Sequence, residues 1–370
     1  MSPALSLYLD AVRIGAALFV VYAHSNLRFL LPAPLPLAEF GHSAVVVFFV
    51  LSGYVIAYVA EGRERDGIDY AAARISRIVP LALVSVLAAL AADHLGRQLA
   101  PALYQVIPAD RVLLRLALSA AFLNETWWLS VMPFSNVPYW SLCYEVVYYL
   151  LFGIALHAPP GWRGPALALV ALLAGPKILL LLPCWLLGVA ACRYRGDARW
   201  PAGLAAALWL GSAGLFWLHH RLDLMRGFAD GLLAPRVSPW LMEHLAFSRY
   251  FAADVWLAGV VALNFIAARR LLTARGAPAA GLRNAAARLG MLTFAIYILH
   301  FPLLYLGGAL LTGLTPGPAK WALVVTGALL AAVTTGALVD RSRPGLRRWL
   351  VRLGRQALAA APARGSSRLT

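Results

Sequence analysis

The chain has 370 residues, of which 61% are hydrophobic and 13% are charged, and its mean hydropathy is +0.73. A soluble domain of this size would expose too much apolar surface, so the composition excludes that class and indicates a polytopic membrane protein. The net charge is +16, but its arginines cluster beside apolar segments, where membrane orientation and anionic lipid explain them without nucleic-acid binding.

The apolar segments recur at the length of about 20 residues that a spanning helix needs, which predicts an all-α integral membrane protein rather than a barrel. Within the segment 165–192, the run Gly175-Pro176-Lys177 could divide one broken helix into two short ones. Between the fourth and fifth segments, NETWWLSVMPFSNVPYW is neither clearly apolar nor charged. We predict ten spans, near 8–31, 41–60, 75–95, 111–130, 139–157, 165–192, 200–218, 250–268, 287–311 and 318–340.

The distribution of basic residues predicts the orientation of these spans. With both termini inside, the cytoplasmic side collects 21 of the 32 lysines and arginines, as the positive-inside rule requires. An even number of spans agrees with two cytoplasmic termini. Residues 1–340 are therefore predicted to form one membrane domain, and 341–370 a basic cytoplasmic tail.

Arg13 and His24 lie eleven residues apart in the first apolar segment. Eleven residues make three helical turns plus about 20°, so both side chains fall on one face, roughly 16 Å apart along the axis. Ionisable residues within a span usually face a protein interior or a wet cavity, which makes the pair a functional-site hypothesis. Alternatively, Arg13 extends its side chain to the membrane surface at its own end of the helix. His24 is then a hydrogen-bonded polar residue near the opposite membrane surface.

The second and third segments offer further candidates. Ser52 shares a helix face with Phe48, although the small residues of this segment equally suit close helix packing. At the start of the third segment, Arg74 and Arg77 stand at i, i+3 with Pro80 one turn later. Two guanidinium groups on one face can form a bidentate clamp for phosphate, or they can be positive-inside anchors.

Later spans add a carboxylate and a second histidine. Glu145 is flanked by Trp140 and Tyr144, and a carboxylate at that depth needs a partner. Tyr297 and His300 stand at i, i+3 near the middle of the ninth span. One such histidine could merely bond a neighbouring helix, but two of them with a glutamate and three arginines are harder to explain as packing.

In this order the motifs resemble the membrane-bound acyltransferase 3 family over residues 8 to about 340. The chain differs from the family at one place. Family members usually have a Ser-Tyr pair shortly before the late tyrosine, and this chain has Thr293 and Phe294 there. The matching motifs are Arg-x10-His at Arg13 and His24, G-x6-FFxLSGY ending at Tyr54, R-x2-R at Arg74 and Arg77 with Pro80, WSL-x2-E from Trp140 to Glu145, and Y-x2-H-x-P at Tyr297, His300 and Pro302.

The resemblance implies a multi-pass enzyme of a bacterial-type inner (plasma) membrane. Such an enzyme moves an acyl group, commonly acetyl, from acyl-coenzyme A to a hydroxyl of a carbohydrate or cell-surface glycan. The expected partners are therefore acyl-coenzyme A as a donor substrate, a glycan acceptor and membrane lipid, with no permanently bound cofactor, no metal and no nucleic acid.

The same resemblance suggests a role for each candidate residue. Arg13, Arg74 and Arg77 would neutralise the donor phosphates, and His24 would be a general base or a transient acyl carrier. Glu145 would hold or polarise a partner, such as the imidazole itself. Residues expected to line the site are Ser52, Trp140, Tyr144, Tyr297 and His300.

Two other functions fit polar residues within spans. A transporter or flippase for a sugar or lipid-linked intermediate would carry them along its substrate pathway, although the chain shows no half-chain symmetry. A structural subunit would use them to hold helices together. The enzyme hypothesis makes a geometric demand: Arg13 and His24 should open on one continuous cavity, with Arg74, Arg77 and Glu145 at its inner mouth and His300 near its deep end.

Overall fold

A computed structural model describes residues 1–62, 64, 66–273 and 275–360, and within these ranges the regular secondary structure is entirely helical. The predicted all-α class is confirmed. Arg63 and Arg65, which the basic-residue count includes, and residues 361–370 of the predicted tail lie outside the described residues. The α-helices are α1 Pro3–His24, α2 Gly41–Gly62, α3 Gly67–Leu99, α4 Val112–Ala120, α5 Trp140–His157, α6 Pro160–Ala174, α7 Pro176–Arg193, α8 Ala202–Arg221, α9 Leu224–Arg226, α10 Pro239–Leu245, α11 Phe251–Thr273, α12 Ala280–Leu310, α13 Pro318–Asp340 and α14 Arg343–Ala360.

Nine helical segments of the described chain are long and apolar enough to cross a membrane. We call the end of the bundle that holds the N-terminus the inner end and the opposite end the outer end. The 15-residue helix α6 adds a pass, because it joins the inner end of α5, where His157 packs on Gly67, to the outer end of α7. Ten passes return the chain to the inner end after α13, in agreement with the predicted parity.

The segment 165–192, for which the sequence left one broken helix or two short ones open, forms two helices, because Gly175 separates α6 from α7. Gly175 has φ +82°, a conformation that favours glycine, and a Cβ there would lie 2.6 Å from the backbone Cα of Trp127. Pro176 follows directly, and the residue before a proline is disfavoured in the helical region. The Gly-Pro step therefore produces two helices where the apolar pattern alone predicts one.

The predicted span 111–130 is also wrong, since α4 ends after nine residues at Ala120. The chain continues as a loop that folds back into the protein, where the buried carboxylate of Glu125 pairs with Lys177 at 2.6 Å. Lys177 also donates to the hydroxyl of Ser130 at 2.8 Å. Irregular backbone is tolerated at membrane depth where it is buried in protein, and this ion pair holds it there.

Helices α2 and α7 pack at backbone distance through small residues. A Cβ on Gly53 would lie 2.0 Å from the carbonyl oxygen of Trp185, and a Cβ on Gly188 would lie 2.0 Å from the carbonyl oxygen of Val50. Both glycines are thus required by sterics. The close contact fixes α2 against α7, and Ser52 of α2 consequently reaches the indole nitrogen of Trp185 at 3.2 Å.

The helix α14, which the sequence assigns to the tail, packs against the inner end of α3. Gly354 lies on Ile68, where a Cβ would meet the side chain at 2.7 Å, and Arg355 forms an ion pair with Asp69 at 3.6 Å. The first turn of α14 follows α13 after a two-residue turn. This arrangement brings Arg343 to the inner end of the bundle, beside Arg77 of α3.

Candidate functional site

An inner cavity opens at the inner end of the bundle between α1, α3, α12 and α13. Its mouth, about 180 Å³ in volume, is lined by Arg13, Arg77, Asp340 and Arg343. A deeper chamber of about 80 Å³ adjoins it, because Arg13 and Arg77 line both spaces. Three guanidinium groups at one opening supply the positive charge that attracts an anion.

The deeper chamber is lined by hydroxyl groups and a carboxylate from α2, α5 and α12. The Ser52 hydroxyl donates to Oε1 of Glu145 at 2.6 Å, and the Tyr149 hydroxyl donates to the same oxygen. On the opposite side, the hydroxyls of Ser141 and Tyr297 lie 2.6 Å apart. The chamber therefore joins Glu145, a predicted catalytic residue, to Ser52 and Tyr297, two predicted lining residues.

The two intramembrane histidines form a direct pair. Nδ1 of His24, the last residue of α1, lies 2.8 Å from Nε2 of His300 in α12. The ring planes lie within 9° of each other, and Phe301 meets the His24 ring edge-on. His300 is fully buried, whereas His24 is partly exposed at the outer end.

The hydrogen bonds around His300 assign the tautomers of both rings. Nδ1 of His300 lies 3.0 Å from the carbonyl oxygen of Ile296, which can only accept, so this nitrogen carries the proton. In the neutral ring Nε2 of His300 is then an acceptor and takes the Nδ1–H of His24. The lone pair of His24 therefore sits on Nε2, which makes no hydrogen bond to the described part of the chain. That nitrogen is available to take a proton or attack a carbonyl.

The side chain of Tyr297 lies between the histidine pair and the inner cavity. Its ring lies 6.3 Å from that of His300 and packs edge-on against Phe48. Tyr297 lines the deeper chamber, whereas neither histidine does. The predicted continuous cavity from Arg13 to His24 is therefore wrong for this conformation, because the aromatic side chains close it one ring short of His300.

Arg74 was predicted to act with Arg77, and the structure separates them. The Arg74 guanidinium is buried in an ion pair with Glu64, donates to the carbonyl of Tyr70 at 3.2 Å and stacks on that tyrosine ring at 3.9 Å. Arg77 points into the inner cavity instead. The i, i+3 spacing does place both on neighbouring faces, but Glu64 from the preceding loop captures one of them.

Three further predictions are corrected by the contacts of α5. Trp140 stacks on Phe247 at 4.4 Å, and the Tyr144 hydroxyl bonds Ser248 at 2.9 Å, so neither side chain lines the inner cavity. Glu145 bonds hydroxyl groups, and within the described residues it contacts no imidazole. Glu145 does not reach the histidines because it lies one helical turn closer to the inner end than the Ser141–Tyr297 contact.

Arg343 is a lining residue that the motifs did not suggest. It opens α14, pairs with Asp340 at 3.6 Å and shares the mouth with Arg13 and Arg77. Its sequence signal is weak, because Arg343 is one of many arginines after the last span. Only the turn between α13 and α14 aims it into the cavity.

Taken together, the fold and site define a multi-pass membrane protein with a cationic inner cavity and an intramembrane histidine pair. The acyltransferase domain family matches residues 6–337, and the chain therefore belongs to the acyltransferase 3 family. It is 28% identical over 335 residues to acyltransferase MdmB of Streptomyces mycarofaciens, covering 83% of this chain and 79% of that protein. It is also 26% identical over 136 residues to the exopolysaccharide production protein ExoZ of Rhizobium meliloti, covering 35% and 38% of the two chains. No solved structure matches significantly.

Family membership confirms the predicted enzyme class: the protein is a multi-pass membrane acyltransferase. It also favours this function over the transporter and the structural subunit.

Proposed function

We propose that the protein transfers an acyl group, acetyl in the simplest case, from acyl-coenzyme A to a hydroxyl of a carbohydrate or cell-surface glycan. The observation that carries the proposal is the pairing of His24 with His300, one ring beyond a cavity whose mouth holds three arginines. In a bacterial-type plasma membrane this cavity would face the cytoplasm, where acyl-coenzyme A is made.

The donor would enter the inner cavity with its phosphates at the mouth. Arg13, Arg77 and Arg343 supply charge there, and the carboxylates of Asp10 and Asp340 offset only part of it. The thin pantetheine arm would then follow the deeper chamber past Glu145 and Ser52. If the Tyr297 ring moved aside, the deeper chamber would open toward the histidines and the thioester would reach them.

His24 would act as the general base. Its Nε2 takes the proton of the acceptor hydroxyl while the oxygen attacks the thioester carbonyl, and the positive charge that forms is shared through Nδ1–H with Nε2 of His300. When the tetrahedral intermediate collapses, the C–S bond breaks and the proton passes to the leaving thiolate. In the covalent variant, Nε2 attacks the carbonyl first, the C–S bond breaks and coenzyme A leaves as its thiolate. The acceptor oxygen then displaces Nε2 from the acyl carbon, and the hydroxyl proton passes to the freed Nε2.

The residues at the cavity mouth provide a direct test. Purified protein supplied with a carbohydrate acceptor should consume acetyl-coenzyme A. Arg77→Ala or Arg343→Ala should raise the half-saturating donor concentration by about tenfold or more, because each removes a charge-assisted phosphate contact. Arg74→Ala should instead lower stability, since it leaves buried Glu64 without its partner. The measurement is initial rate against donor concentration.

Arg348→Ala is the matched control, because this exposed arginine of α14 lies outside the cavity lining. If the protein leaves acetyl-coenzyme A intact, the proposed reaction is wrong. If both cavity variants keep the half-saturation of the Arg348→Ala control, the arginines are topological anchors.

A further inference from the structure

At the outer end, a second cavity of about 330 Å³ lies between the start of α2, the end of α8 and the segments that lead into α11. We call it the outer cavity. Its walls combine imidazole rings with aromatic faces, and the residues that matter here are Phe40, His42, His219, His220, Phe247 and Tyr250. It lies at the opposite end of α2 from Glu61, which pairs with Arg193 at the inner end.

His42 is held rigidly at the wall of this cavity. Its Nε2 lies 2.9 Å from Oδ2 of Asp254, whose side chain is fully buried. The ring stacks parallel to Trp140 and Phe247 at 6.0 and 6.4 Å. One imidazole nitrogen is thus fixed by the carboxylate, which leaves Nδ1 for a ligand.

His219 carries the second observation, which points to a ligand. Its side chain is 1% exposed and stacks on Trp256, yet neither ring nitrogen has a hydrogen-bond partner in the described part of the chain. The same holds for Nε2 of the neighbouring His220. Buried polar atoms without partners cost free energy, so a cavity lined with them is expected to be completed by a bound molecule.

The charges select the kind of molecule. Arg226 and Arg249 line the cavity together with Asp223 and Glu39, so the opposite charges are balanced and a polyanion gains nothing by binding there. Aromatic faces suit the C–H surface of a ring, and imidazole groups suit hydroxyls. A volume of about 330 Å³ is at the small end of ligand pockets, which run from about 300 to 1,000 Å³.

The side chain of Trp140 lies between the outer cavity and the inner cavity. The Trp140 indole stacks on Phe247, which lines the outer cavity, and meets Phe49, which lines the inner one, edge-on at 6.2 Å. In addition, a Cβ on Gly41 would lie 2.6 Å from the Cβ of Ala23. His24 follows Ala23 and His42 follows Gly41, so the end of α1 and the start of α2 that carry these histidines contact each other.

We infer that the outer cavity binds an uncharged, polyhydroxylated ring, a pyranoside, as the acceptor of the acyl group. His42, His219 and His220 bond its hydroxyls, and Phe40, Phe247 and Tyr250 pack on its faces. That the bound pyranoside is the acceptor rests on the proposed function. That the cavity binds a pyranoside rests only on the residues that line it.

Binding can be measured without turnover. Saturation-transfer NMR on the purified full-length chain, titrated with methyl pyranosides of glucose, galactose, mannose and rhamnose, should detect at least one of them. His219→Phe keeps the stacking on Trp256 but removes both ring nitrogens, and it should weaken that binding at least tenfold. His220→Phe provides a second variant with the same expected direction.

His244→Phe is the matched control, because His244 also stacks on a tryptophan, Trp240, at 4.2 Å but lies outside the cavity. It should bind the glycoside as the unaltered protein does. Thermal midpoints of all three variants check folding.

Three results would overturn the inference: no binding of any methyl pyranoside, equal binding by the unaltered protein and both cavity variants, or displacement of the glycoside by inorganic phosphate. Its failure is distinguishable from failure of the proposed function. Glycoside binding without acetyl-coenzyme A consumption removes the function and keeps the site. Acyl transfer with an unchanged acceptor dependence in both cavity variants removes the site and keeps the function.

Discussion

Replacing His24 with alanine is expected to lower the rate of acyl transfer by about 10²–10⁴-fold, the range that a positioned general base contributes. The residue is the last of α1 and is partly exposed, so its loss should leave expression and insertion intact. His300→Asn should lower the rate less, because the His24 ring keeps its Nε2 but loses the acceptor that orients it. The measurement is the turnover rate at saturating donor.

His94→Ala is the control for this comparison. His94 lies on an exposed face of α3 and bonds Gln98, so its removal deletes an imidazole from the same protein without touching the site. A well-folded His24→Ala protein with the turnover rate of the His94→Ala control would remove His24 from the mechanism.

The second large effect concerns folding. Gly188→Ala is expected to destabilise the bundle by about 3 kcal/mol or more, because the new Cβ would lie 2.0 Å from the carbonyl oxygen of Val50 and no side chain can move aside. Helices α2 and α7 would have to separate, which also displaces Ser52 from Trp185. The measurement is the thermal midpoint in detergent, followed by size-exclusion chromatography.

Gly259→Ala in α11 is its counterpart, since a Cβ there meets nothing within 4 Å. In a helix this change should be neutral or stabilise by up to about 1 kcal/mol. Equal thermal midpoints for the two alanine variants would show that α2 and α7 do not approach as closely as described.

The apolar pattern predicted the helical class well, because a spanning helix satisfies its own backbone and depends on local sequence. The same pattern predicted a spanning helix at 111–130 wrongly, because a contact with a distant part of the chain decides the structure there. Whether that apolar run continues as a helix depends on Glu125 meeting Lys177, which lies 52 positions later in the chain. The division of 165–192, in contrast, was visible locally at Gly175-Pro176.

The sequence predicted part of the lining of the inner cavity, but not the contacts that its side chains make. Spacing placed Arg13, Arg77 and Glu145 correctly toward one cavity. It could not show that Glu64 captures Arg74 or that a helix of the tail supplies Arg343. Charge pairing between distant segments decides both, and helical periodicity carries no information about it.

In the proposed reaction the acyl group passes from a donor at the inner end to the histidine pair, which lies toward the outer end. Vesicles holding the protein in one orientation, selected through the C-terminus, test it when labelled acetyl-coenzyme A is supplied on a single side. We predict labelled acetyl product, whether an ester or acetate, only when the donor is on the C-terminal side, and about 10²–10⁴-fold less with His24→Ala. Product formed from donor on the opposite side, or no product from either side, would contradict it.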